Sequence, residues 1–255
     1  VVNQVNRFSL QGDLQNGNAV TSKILSLDVD FIVAVGLKAA LVVRQDLSSI
    51  PSVYCMVLDP GKYQLTKSKM TGIALEIPFT RQMKSLQEVL PKVKRVGVLY
   101  NPLKTGRIVK AARAQAKAIG IELVPRVVSS EKEVPATLRT IVPQIDALWL
   151  LPDSTVLTSD SFHFLLQTTL EGNVPVIGFS SDLVSKGALL SVHFRYEDVG
   201  KQAARVTRKF LNGHAFTPGA ILSPEPLRLA INLNTANFLG ISVPPDVLTR
   251  FHEMY

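Results

Sequence analysis

Short apolar runs break off into small, polar or helix-starting residues at five places in this chain of 255 residues: 31–36, 53–58, 96–100, 147–151 and 174–179. A run apolar on both faces and followed by an amphipathic stretch is the sequence form of a strand feeding a helix. Such units build parallel sheets covered on both sides, so the fold class predicted is α/β. Ligands of open parallel sheets bind beyond the strands' carboxyl ends. The residues after the five runs are therefore the first candidates for a site: Leu37 and Lys38, Asp59 and Pro60, Asn101 and Pro102, Pro152 to Thr155, and Ser180 to Asp182.

The remaining pattern fills in around these runs. Residues 1–5 read as a short strand, 17–27 and 37–47 as helices, and 72–77 as a strand after the Asp59-Pro60-Gly61 turn. A helix over 80–90, capped by Thr80 and ended by Pro91, opens a second set of units. That set holds helices over 105–119, 130–142 (with Ser130 as cap) and 159–172, and strands over 122–128 and 188–192. A long helix over 196–211, a strand over 227–233 and closing helices over 235–239 and 245–255 complete the reading. Residues 212–226, rich in Gly and Pro, read as a linker that returns the chain from one lobe to the other.

Length changes the picture first, because 255 residues exceed the usual single-core domain. Two lobes are predicted, 1–78 with about 195–222 and 79–194 with about 223–255, with a ligand cleft between them. With 46% hydrophobic residues the chain is too apolar for disorder, yet no run approaches the roughly 18 apolar residues needed to span a bilayer. The net charge of +8 gathers most densely at Lys104, Arg107, Lys110, Arg113 and Lys117. On a helix Lys110, Arg113 and Lys117 lie opposite Ile108, Ala112 and Ile119, the ordinary pattern of a solvated face, so no nucleic-acid partner is expected. Cys55 is the single cysteine, in a buried strand, and reads as a structural thiol. The first residues carry no charged leader or signal-like apolar stretch, and any targeting peptide is expected to be already absent.

Catalytic signatures are missing. There is no G-x-G-x-x-G fingerprint, no phosphate loop and no G-x-S-x-G elbow, and the four histidines lack metal-ligand spacing. No enzyme activity, cofactor or metal is expected. Asp59 and Asp153 are the carboxylates that the topology brings toward one cleft, and an enzyme would need a further acid, base or nucleophile beside them. Asp153, Ser154 and Thr155 offer a carboxylate and two hydroxyls that suit a zwitterion or polyol, or equally an N-cap. Asp59-Pro60 offers a carboxylate or simply a tight turn, and the Asn101 amide can both donate and accept or bond its own backbone. Ser180 and Ser181 face a cleft or cap a helix, and Tyr100 and Phe179 are candidates for an aromatic wall.

Five tracts together carry a family resemblance: 94–102 (KRVGVLYNP), 146–156 (DALWLLPDSTV), 174–178 (VPVIG), 187–191 (GALLS) and 229–236 (LAINLNTA). The chain resembles the ABC-transporter substrate-binding proteins that include the tryptophan and tyrosine binders, from about Asp30 to Ile241. The resemblance implies a type I periplasmic-binding-protein fold, two Rossmann-like lobes closing on a ligand at a hinge. It implies an extracytoplasmic solute receptor, periplasmic or at the cell surface, that delivers a small organic ligand to a permease and ATPase. A membrane would then be met only through the permease or a lipid anchor. A ligand-sensing domain of the same fold in a signalling or regulatory system is the alternative.

By that resemblance Leu37 stands where a small hydroxyl residue is expected, the Thr-Asp-Pro turn reads Leu58-Asp59-Pro60, the Thr-Asp-Asn-Thr segment reads Pro152-Asp153-Ser154-Thr155, and Ser180-Ser181 replaces an acidic pair. Two neutral hydroxyls do not offset an ammonium as carboxylates do. Relatives carry a strand and helix ahead of Val1, so a first βα unit is expected to be missing, with Val1 to Val5 as the second strand.

Overall fold

The alternation of strand and helix is present in the computed structural model, which describes residues 4–214 and 217–255. The chain runs through α1 (Gly17–Leu25), β1 (Ile32–Val35), α2 (Leu37–Asp46), β2 (Ser52–Val57) and β3 (Thr71–Ala74). It continues through α3 (Phe79–Val89), β4 (Arg95–Tyr100), α4 (Gly106–Ala118), β5 (Glu122–Val127), α5 (Val134–Ile141) and β6 (Ala147–Trp149). Then follow α6 (Ser159–Glu171), β7 (Val176–Gly178), α7 (Ser181–Ser185), β8 (Leu190–His193), α8 (Tyr196–Leu211) and β9 (Ile221–Leu222). The last elements are β10 (Arg228–Ile231), α9 (Leu233–Phe238), α10 (Pro245–Leu248) and β11 (Glu253–Met254).

Two units result. The first takes the chain up to Glu76 and again over Phe194–Pro226; the second takes Ile77–His193 and Leu227–Tyr255. The first unit is built on a sheet of order β1-β2-β3-β9, parallel throughout. Along β2 Val53 and Cys55 enter a core with Val199 and Ala203 of α8 and Tyr54 enters the opposite core with α1 and α2, and a register shift between Tyr54 and Val57, with Met56 at φ +60°, brings Val57 to the same face as Tyr54. Tyr54 lies directly over Gly72 of β3, where a Cβ would stand 2.1 Å from the ring. The edge strand β1 leaves Val33 44% and Val35 63% exposed.

The second unit has a seven-stranded sheet, order β11-β10-β8-β7-β6-β4-β5. Its pairs are parallel except β10 with β8. Leu148 and Leu150 enter the core on one face with α5 and α6, and Trp149 enters the other with α3 and α4. Trp149 meets Phe79 edge-on at 5.0 Å and donates from Nε1 to Gln82 Oε1 at 2.9 Å, which pairs its one polar atom inside the core.

Several expectations are corrected. Residues 4–10 are irregular and Val5 is exposed, so they form no strand; Val1 to Asn3 lie outside the described residues. α3 begins at Phe79 with Pro78 at its N-cap, because Phe79 is drawn into the core, and Thr80 caps nothing. α5 begins only at Val134, where Pro135 fits the first turn of a helix, and Ser130 donates to Glu133 instead of capping. The linker-like stretch contains β9, and the tail that read as one helix ends in β11, which pairs with β10.

Candidate functional site

In the second unit β4 is followed by β5 on one side of the sheet, while β6 lies on the other side of β4 and continues to β7. Strand order therefore reverses between β4 and β6, which pair through Val96 with Ala147 and Gly97 with Leu148. Crevices beyond the carboxyl ends of strands at such a reversal are where open α/β sheets bind ligands. Asn101 leaves β4 at this point and Pro152 to Thr155 follow β6.

The side chains there form one network. Asp153, 1% exposed, accepts from the Asn101 amide at 2.8 Å and the Thr105 hydroxyl at 2.5 Å on Oδ2, and from the Thr155 amide at 2.9 Å on Oδ1. The Asn101 carboxamide donates from Nδ2 to Thr155 Oγ1 at 3.1 Å and accepts from the Leu103 amide at 2.9 Å. Lys104 Nζ donates to Ser154 Oγ at 2.8 Å at the exposed rim. The Asp153 carboxylate thus ties the loop after β4 to the loop after β6, with three donors from its own unit. What the rim offers a ligand is the remaining capacity of the Asn101 amide, the Thr155 and Ser154 hydroxyls and the Lys104 ammonium. Beside them Tyr100 is half-buried against the core and Leu103 is 80% exposed.

Phe179, Ser180 and Ser181 follow β7, the next strand in the sheet. Phe179 packs on the core with α6, Ser180 Oγ accepts from the Leu183 amide at 3.4 Å as the N-cap of α7, and Ser181 bonds the Glu253 carboxyl. Burial alone would raise Glu253; hydrogen bonds from Ser181 and Tyr255, with His193 beside them, hold it below the ordinary carboxylate range. No hydrogen bond among the described residues joins Ser180 or Ser181 to the Asn101–Asp153 network.

In the first unit Leu37 opens α2 and packs, partly buried, against the core. Asp59 follows β2 with φ +45°, and is buried together with Pro60. The Asp59 amide donates to Glu76, and Asp59 Oδ1 accepts from the Lys62 amide at 3.1 Å, which closes the turn. Sequence reasoning passed over Thr105 and Glu76. Thr105 stood at the start of the helix predicted over 105–119 and is the N-cap residue of α4, a position whose hydroxyl is a ready donor; Glu76, two residues beyond β3, carried no local signal. No group of three or more His, Cys, Asp or Glu among the described residues is arranged to hold a metal, and no described helix is long and apolar enough to cross a membrane.

Two α/β units on mostly parallel sheets, with a polar network at a switch point, define the class of type I periplasmic binding proteins. Within that class, the model of the ABC transporter substrate binding protein family matches residues 3–254, and this chain belongs to that family. It is 24% identical over 239 residues to the tyrosine-binding protein of Clostridioides difficile, a match over 91% of this chain and 69% of that protein. The ligand-free, open structure of a substrate binding protein with adhesive properties from Clostridium difficile shares the fold with a TM-score of 0.77, at 23% identity over 95% of this chain and 84% of that one. The ABC domain from Streptococcus pneumonia in complex with L-Trp shares it with a TM-score of 0.68, at 23% identity over 96% and 85%. The family and fold are those of solute-binding proteins.

Proposed function

We propose that this chain is the extracytoplasmic receptor of an ABC importer, capturing a small organic solute and handing it to a permease driven by an ATPase. The observation that carries the reading is the family match over residues 3–254, joined to a hydrogen-bonding rim at the strand-order reversal of the second unit. An aromatic amino acid or a related acid is the first ligand class to test. A relative named for tyrosine supports it, and so does the Lys104 ammonium, which stands beside Ser154 and suits a carboxylate. Capture is coupled to a hinge-type closing motion, since a ligand shifts a receptor toward the state that it contacts more fully.

Thermal melting with a panel of amino acids, aromatic acids and nucleosides tests this, with small-angle scattering on any hit. The expected result is a concentration-dependent rise in Tm and a smaller radius of gyration for at least one aromatic amino acid or acid, weakened by Asn101→Ala. No shift with any member of the panel overturns the reading. A ligand-dependent shift accompanied by binding to a kinase or DNA-binding module, and none to a permease, moves it to the sensory alternative.

A further inference from the structure

The first unit carries a concavity of about 290 Å³, lined on one side by Arg44, which stands about 10 Å along α2 from Leu37 by the rise of a helix. Arg44, Lys67 and Lys69 line it with Ser48, Gln64, Ser68 and the buried Met70. The walls are held from below. Arg44 Nη1 donates to the Tyr63 carbonyl at 2.7 Å, and Ser68 Oγ donates to the Leu65 carbonyl at 2.6 Å while accepting from the Met70 amide at 3.3 Å. Leu65 and Met70 are buried and anchor the turn that carries both lysines.

No carboxylate lines the concavity, and among the described residues none of its three cations belongs to an ion pair. Three like charges around one recess repel one another, and a bound anion removes that repulsion while receiving their hydrogen bonds. Ser48 and Gln64, which also line the recess, bring a hydroxyl and a carboxamide as neutral donors. We infer that this recess binds a multiply charged anion of the phosphate class, as a free phosphate compound or as the headgroup of an anionic lipid. The recess is built wholly from first-unit residues, shares none with the Asn101–Asp153 network of the second unit, and does not depend on the solute reading.

Calorimetry of the whole chain with pyrophosphate at low salt, and co-sedimentation with vesicles of phosphatidylglycerol and phosphatidylcholine against phosphatidylcholine alone, test the inference. Lys67→Gln with Lys69→Gln removes two of the recess charges; Lys110→Gln with Arg113→Gln removes two exposed charges from α4 and serves as the control. Arg44 is left intact because it also holds Tyr63. We expect the first pair to weaken binding about tenfold or more and the control to leave it within about twofold, with affinity falling as salt rises. Pyrophosphate binding with that selectivity supports a free anion; vesicle binding alone, with the same selectivity, supports a headgroup. Absence of binding to both probes, or equal weakening by both pairs, overturns the inference.

Discussion

Replacing Asp153 by alanine tests whether this carboxylate is the tie between the loops after β4 and β6. The substitution removes the acceptor of three hydrogen bonds, from the Asn101 amide, the Thr105 hydroxyl and the Thr155 amide, at a position 1% exposed. Leaving a buried donor without its partner costs about 1–3 kcal/mol, and water admitted to the new space recovers part of that, so the total expected is about 3–6 kcal/mol. Asp153→Asn keeps the shape but turns an N–H toward at least one of the three donors, for a loss of about 1–3 kcal/mol. Urea unfolding gives the ordering: parent most stable, then Asn, then Ala. A double-mutant cycle with Thr105→Val isolates the 2.5 Å bond, and non-additivity of about 1 kcal/mol or more is expected. The reasoning is refuted if Asp153→Ala unfolds within about 0.5 kcal/mol of the parent, the range of an unremarkable surface change, or if the cycle is additive.

Gly72→Ala places a methyl 2.1 Å from the rigid, fully buried Tyr54 ring, and should cost about 3 kcal/mol or more, read as a fall in Tm; an unchanged Tm argues against the packing described. Burial alone would raise the Asp146 carboxyl, but hydrogen bonds from the Arg95 and Lys94 amides and the Arg95 guanidinium hold it below its ordinary value. Its contribution is therefore complete above the ordinary carboxylate value of about 4 and is lost as pH falls through the lower folded value. Asp146→Asn should flatten the acid limb of stability against pH, and an unaltered limb would count against this. Burial pushes the Cys55 thiol up, so a thiol reagent should label the folded chain far more slowly than the chain in denaturant. Equal rates would show that β2 is open to solvent.

The βα units were legible because a strand buried on both faces leaves an unbroken apolar run, as at 96–100 and 147–151, and each run stopped where a loop residue of the candidate site begins. What escaped was set by distant partners. β9 and β11 are two-residue strands that exist because β3 and β10 offer them a free edge, and two residues carry no periodicity. The reversed direction of β10 against β8 is likewise a property of the pairing. Within the site, Asn101, Asp153 and Thr155 were identified by their place after strands, but the role of Asp153 as a saturated tie depends on Thr105, 48 residues earlier in the chain. Ser180 and Ser181 fitted two readings equally in sequence. The structure shows both engaged by groups of their own unit, an N-cap and the Glu253 carboxyl.

The first unit is interrupted in sequence: Val53, Cys55 and Ile73 are covered by Val199 and Ala203 on α8, some 125 residues after Ile73. On a ribosome adding 5–20 residues per second, that face of the sheet waits about 6–25 s for its cover. The second unit, by contrast, has β4 to β8 in one uninterrupted stretch and can assemble most of its sheet as it emerges. During synthesis, then, the Val, Cys and Ile face of the first sheet stays uncovered until α8 has been made, long after the sheet's first three strands.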